Sequence, residues 1–164
     1  MDVEALLKQS ISEERQLHFP SFDAEDAWNL GTILVELARK NRWELAISIE
    51  SNDKQLFYYA FQQTHLNNES AVKRKRNVAH VFRCSSLRVF CELRLSQTSI
   101  ADRGRDFQQY LPLGGSFPIY VEGTGQVGTV TVSGLDHVDD HRAVVEGIQM
   151  FLEYKRGGKL WSAM

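Results

Sequence analysis

The stretch from Gly123 to Gly134, GTGQVGTVTVSG, restricts the fold more than any other part of the chain. Its first six residues spell G-x-G-x-x-G, which cradles a dinucleotide pyrophosphate only when a helix N-terminus comes directly after it. The next residues are Thr129-Val130-Thr131-Val132, β-branched and alternating, with Val127, Thr129, Thr131 and Ser133 on one face and Gly128, Val130, Val132 and Gly134 on the other. That is the period of a strand. The glycines therefore predict a tight hairpin and close strand packing, with Phe117 to Glu122 as the first strand and Val127 to Ser133 as the second.

The remaining periodicity places this hairpin in a mixed α/β chain. Leu45 to Ile49 and Leu56 to Phe61 flank a polar spacer, Ser51-Asn52-Asp53-Lys54, and read as another hairpin. Helical spacing of Val3, Leu6, Leu7 and Ile11 predicts a helix over 2–16. The set Ala27, Leu30, Ile33, Leu34, Leu37 and Ala38 predicts another over 23–41, capped by Ser21 or Asp23. Val144, Val145, Ile148, Phe151 and Leu152 form the stripe of a last helix over about 139–155, with Asp136, Asp139 and Asp140 at its positive end and Gly157-Gly158 after it. Residues 69–83 read as a helix. Over 88–95, Val89, Cys91, Leu93 and Leu95 alternate with Arg88, Phe90, Glu92 and Arg94, which on period alone predicts a strand.

No repeat or linker divides the 164 residues, so one domain over 1–164 is expected, with 159–164 as a loose tail. Nineteen basic against 21 acidic side chains leave a charge of -2, and no global field draws the chain to nucleic acid or anionic lipid. The first residues lack a basic and apolar leader pattern, and no run of about 18 apolar residues occurs, so a cytoplasmic, non-membrane protein is expected. Cys84 and Cys91, without a C-x-x-C pair, predict reduced core thiols rather than a disulfide framework or a zinc site.

Three groups of residues could carry chemistry. In Lys73-Arg74-Lys75-Arg76, a solvated face of Lys73, Arg76, His80 and Arg83 opposes an apolar arc, and Arg74 and Lys75 fall within or beside that arc. An unpaired charge there would be costly, so both require an acidic neighbour, another subunit or an anionic ligand. Gly114-Gly115-Ser116 and Ser133-Gly134 lie at the same end of the predicted hairpin, where glycines let a ligand or another backbone approach closely. His137 and His141 stand four apart, but Val138 occupies the place of the zinc-protease glutamate, and no metal site is assigned.

The segments Phe22 to Gly31 (FDAEDAWNLG), Ala46 to Ile49 (AISI), Arg74 to Val78 (RKRNV), Gly114 to Ile119 (GGSFPI) and Val127 to Gly134 (VGTVTVSG), with Asp140-His141 after them, resemble the haem-degrading-domain family of the GlcG/HbpS type, in its branch carrying a basic helix. The resemblance spans nearly the whole chain. It implies a profilin-like α/β (α+β) sandwich, with a mostly antiparallel sheet of about five strands flanked by helices. It also implies a homo-oligomer, and a helix rather than a strand over 88–95. The family often has tryptophan where Ala71 stands, and histidine where Leu113 precedes the glycine pair. The second departure removes a natural iron ligand, which weakens haem as a cofactor.

Three functions stay open on these residues. In the first, Arg74, Lys75 and Arg76 with Gly114, Gly115, Ser116, Ser133 and Gly134 hold an anionic small molecule, such as a tetrapyrrole through its propionates. In the second, His141 with Asp140 moves protons in an enzyme. In the third, the same positions line contacts in a non-catalytic assembly of identical subunits.

Overall fold

Asp2 accepts the Ala5 amide at 3.0 Å and opens helix α1, Val3–Gln16. Asp23 and Asp26 exchange side-chain and backbone bonds in a capping box that starts α2, Ala24–Asn41. Hairpin β1 (Ala46–Ser51) and β2 (Gln55–Ala60) comes next, then α3 (Leu66–Phe82), α4 (Ser86–Ser96) and a short 3₁₀ turn, Ile100–Arg103. The chain closes with β3 (Ser116–Val121), β4 (Gly125–Ser133) and α5 (His137–Lys155). This computed structural model describes residues 1–157. Gly158 and the expected tail over 159–164 lie outside the described residues.

The four strands form one antiparallel sheet in the order β2-β1-β4-β3. Gly123 turns at φ 76°, and the G-x-G-x-x-G run is the tip and start of a hairpin, as its sequence predicts. A fifth strand is expected but not formed. Beside β3, Phe19 makes only a single parallel bridge to Val121.

The two faces of the sheet differ in chemistry. Ile47, Ile49, Val130, Val132, Phe117 and Ile119 point toward α2 and α5 and make the main core with Leu30, Leu34, Ile148 and Phe151. Ser48, Glu50, Thr129, Thr131, Ser133 and Ser116 point to the other side, where α3 lies. There hydroxyls satisfy one another: Ser116 Oγ and Thr131 Oγ1 are 2.9 Å apart, and the Ser116 amide donates to Ser86 Oγ at 3.0 Å.

Residues 88–95 are helical, against their alternating period. Leu87, Val89, Cys91 and Leu93 of α4 are all buried, and α1, α3, α5 and β3 surround the helix. A helix covered on several sides shows no single apolar stripe. Cys84 and Cys91 are both buried and free, and burial pushes their thiols up to about 12 and about 11, which makes them poor nucleophiles.

Polar links tie α1 to this body. Glu14 accepts the Ser85 amide at 2.8 Å and pairs with Arg88 at 2.9 Å, while Glu13 meets buried His141 at 2.6 Å. Burial alone would raise the Glu13 carboxyl, but the His141 bond and charge bring it below its usual 4.5. Burial likewise opposes, and Arg88 and Arg103 override, at Glu92. A carboxyl depressed in the folded state stabilises the fold above its unfolded pKa and loses that contribution as pH falls through the folded value. Urea midpoints should therefore fall below about pH 4.5, and Glu13→Gln with Glu92→Gln should flatten this acid limb while lowering the neutral plateau. An unchanged acid limb in the double variant would contradict the assignment.

Candidate functional site

α3 and α5 meet around the end of the sheet where β4 stops and β3 begins. Lys75 of α3 and Asp140 of α5 are 3% and 1% exposed, and their Nζ and Oδ2 stand 2.8 Å apart. Lys75 also donates to Val132 O at 3.4 Å, and Asp140 Oδ1 accepts the Leu135 amide at 2.9 Å. Burial pushes the Asp140 carboxyl up, and the Lys75 ammonium draws it back down. The acidic neighbour that the wheel position of Lys75 demands is thus supplied from within the chain.

Gly114-Gly115 crosses directly over this pair. Gly115 has φ +131°, and a Cβ there would sit 2.6 Å from Val132 O and 2.9 Å from Lys75 Nζ. The Gly114 amide donates to His137 Nδ1 at 3.0 Å. The proton of this ring is therefore on Nε2, and burial, followed by the charge of Lys75, lowers the His137 pKa and keeps the ring neutral.

The other basic residues have separate surroundings. Arg74 donates from Nη2 to Phe107 O at 2.6 Å, and its guanidinium lies 4.8 Å from the centre of the Phe107 ring. Arg76 pairs with Glu50 at 2.9 Å. Ser116 lies in the buried hydroxyl layer, Ser133 accepts from Asn68 at 3.4 Å, and Gly134 packs against the backbone of Glu44. The structure thus gathers Lys75, Gly114, Gly115, Asp140 and the backbone of Gly134 in one place, and it gives Arg74, Arg76 and the Ser133 hydroxyl other partners.

Asp140 and His141 point to different partners. His141 is 2% exposed and bonded to Glu13, and its Nδ1 is buried without a partner, whereas Asp140 is engaged by Lys75. The two do not hydrogen-bond to each other. His137 and His141 fall on one helix, one turn apart, but each is engaged elsewhere. Among the described residues no group of three or more His, Cys, Asp and Glu side chains is placed to share a metal ion.

Sequence reasoning misses one feature. Beside Leu113, α4, the 3₁₀ turn and the 104–113 segment border a half-open groove of about 380 Å³ lined mainly by Phe90, Leu93, Ile100, Phe107, Leu111 and Leu113, with Thr98 and Ser99 at one side. Arg94 lies at its wall, 5.5 Å from the centre of the Phe90 ring, and Arg74 backs Phe107. Phe90 in turn stacks edge-on against His137, with 4.5 Å between ring centres. The signal in the sequence is faint, because these residues come from three short segments with no shared period.

Comparison with known proteins settles the kinship. Residues 22–149 match the model of the family described as haem degrading protein, HbpS-like. The chain belongs to the HbpS-like family. It is 42% identical over 142 residues to a UPF0303 protein of Streptomyces avermitilis, covering 86% of this chain and 87% of that one. It is 38% identical over 152 residues to a UPF0303 protein of Rhizobium etli, covering 93% of each.

Among solved structures, the Ybr137w protein superposes with a TM-score of 0.83 at 23% identity, covering 92% of this chain and 95% of that one. The PduOC:Heme complex superposes with 0.67 at 14% identity over 79% and 94% of the two chains. At these identities the likeness to solved structures concerns the fold. No helix among the described residues of this HbpS-like chain is long and apolar enough to cross a membrane.

Proposed function

We propose that this protein binds an amphipathic, anionic small molecule, of the planar tetrapyrrole carboxylate class, in the groove between α4, the 3₁₀ turn and the segment leading to Gly114. The observation that carries this reading is the composition of that groove: a mainly apolar interior with Arg94 at its wall. An apolar slot with one placed cation suits a flat hydrophobic body that ends in a carboxylate. One relative in fold is a haem complex, PduOC:Heme, which supports the same ligand class.

The groove offers apolar surface to part of the ring and one cation, Arg94, to a carboxylate, but it supplies no iron ligand. Among the described residues no His, Cys, Met or Tyr lines the groove, and Leu113 is apolar. Within this site Arg94 pairs with a carboxylate, and Arg74 positions Phe107 as part of the wall. Lys75, Gly114 and Gly115 form the rigid base that holds Leu113 in place, and the ion pair of Arg76 with Glu50 braces α3 against β1.

Titration of the purified protein with haem and with iron-free protoporphyrin tests this reading. Both should saturate with affinities within a few fold of one another, because iron forms no bond here, and Arg94→Glu should weaken both at least tenfold. Absence of saturable binding by either porphyrin, or binding that survives Leu93→Lys unchanged, would overturn it.

A further inference from the structure

His137 stands where the groove, the glycine pair and the start of α5 meet. It is the first residue of α5, half-buried, and its Nδ1 accepts the Gly114 amide at 3.0 Å. Gly114 lies close in a second way, because a Cβ on it would sit 2.3 Å from His137 O. The same imidazole meets Phe90 edge-on, at 4.5 Å between ring centres. Phe90 and Leu113, the residue before Gly114, both line the groove, so one ring supports two of its walls.

This support depends on the protonation state of the ring. A neutral imidazole with its proton on Nε2 offers Nδ1 as an acceptor, whereas an imidazolium donates from both nitrogens and turns an N–H against the Gly114 N–H. The positive end of α5 disfavours the added charge as well. Burial lowers the pKa of the ring most, followed by the ammonium of Lys75 on α3, which is itself paired with Asp140. Asp136 raises it, and His141 on α5 and Arg94 on α4 add smaller lowering effects. On the side of α1 the ring borders an open cleft of about 540 Å³, where Asp2, Asp136 and Asp139 face a single guanidinium, Arg142. An imidazolium that leaves Gly114 finds solvent and an excess of carboxylates there.

We propose that His137 makes release of the bound porphyrin acid-sensitive: a second proton on the ring expels it from Gly114 into the α1 cleft, and Leu113 and Phe90 lose their common support. The proposal rests on the reading of the groove as a porphyrin site. A ligand that needs the neutral ring binds the protonated protein less well, so affinity is full above the pKa of the ring in the ligand-free protein and falls by up to about tenfold per pH unit below it. That pKa lies below the usual 6.5 of an imidazole, and the window opens above the acid limb of unfolding that Glu13 and Glu92 set. A ligand carboxylate paired with Arg94 eases the repulsion on the ring, but Arg94 acts on His137 less than Lys75, Asp136 or His141 does.

Haem titrations of the wild type and of His137→Asn at about pH 7.5 and about pH 5 test it, because the asparagine keeps an acceptor at the place of Nδ1 but takes up no proton. Over this interval the wild-type affinity should fall at least about threefold more than that of the variant. In the ligand-free wild type, the His137 ring and the Gly114 amide should titrate with one midpoint in nuclear magnetic resonance spectra. Equal acid losses in the two proteins, a ring that stays neutral down to about pH 5, or a Gly114 amide indifferent to the titration of the ring would overturn the proposal. If haem binds at neither pH, the reading of the groove fails and the release with it, while a shared midpoint in the ligand-free protein would still establish the proton-driven break at Gly114.

Discussion

Asp140→Ala should lower the thermal midpoint by about 10 °C, among the largest single effects in the protein. The substitution leaves the Lys75 ammonium 3% exposed, with only the 3.4 Å contact to Val132 O and the backbone of Gly115 close above it. Removing one member of a buried pair costs about 3–5 kcal/mol, because the remaining charge keeps its desolvation penalty and loses its compensation. For a chain of this size each kcal/mol is worth roughly 2–4 °C. The pair itself is not the source of that much stability. Replacing both members, as in Lys75→Met with Asp140→Asn, should recover part of the loss, since the unpaired charge is gone and the asparagine oxygen still accepts the Leu135 amide. Differential scanning calorimetry of the two single variants and the double variant checks this. A single variant that loses less than about 1 kcal/mol would show that water reaches the pair.

Gly115→Ala should be comparably damaging for a different reason. Its φ of +131° lies where L-residues are strained, and the new methyl would meet Val132 O at 2.6 Å, Lys75 Nζ at 2.9 Å and Asp140 Cβ at 3.1 Å. Relief requires β4 or the ion pair to move. Backbone strain alone costs about 1–3 kcal/mol, and displacement of a buried pair adds to it. Gly123→Ala is the matched control: φ is also positive, at +76°, but no atom lies within 4 Å of the added carbon. It should lose only about 1 kcal/mol. Urea unfolding of both variants separates strain from collision, and equal losses would mean that the close approach over Lys75 does not exist in solution.

The contrast between those glycines shows what the sequence discloses. Hairpins and amphipathic helices are legible because their periods are local: β4 alternates strictly, and α2 and α5 each turn one apolar stripe to the same sheet face. α4 is misleading because burial on several sides erases its stripe and leaves an accidental alternation. The need of Lys75 for a partner follows from its place on the helical wheel, yet the partner lies 65 positions later. Glu13 and His141 are separated by 128 positions. The groove beside Leu113 is hidden for the same reason, since it exists only once α4 and the loop before β3 are brought together. Where about five strands are expected four form, and the Phe19 to Val121 contact beside β3 stays a single bridge.

The hydroxyl layer beneath α3 and α4 has a consequence of its own. Aliphatic contact is nearly indifferent to small sliding, whereas a hydrogen bond has a direction and a narrow range of length. The greasy side of the sheet supplies cohesion, and the Ser86, Ser116 and Thr131 side acts as an index mark that lets α4 seat at one height only. Because α4 carries both Phe90 and Arg94, the dimensions of the neighbouring groove are dictated by three small polar side chains that never touch its interior.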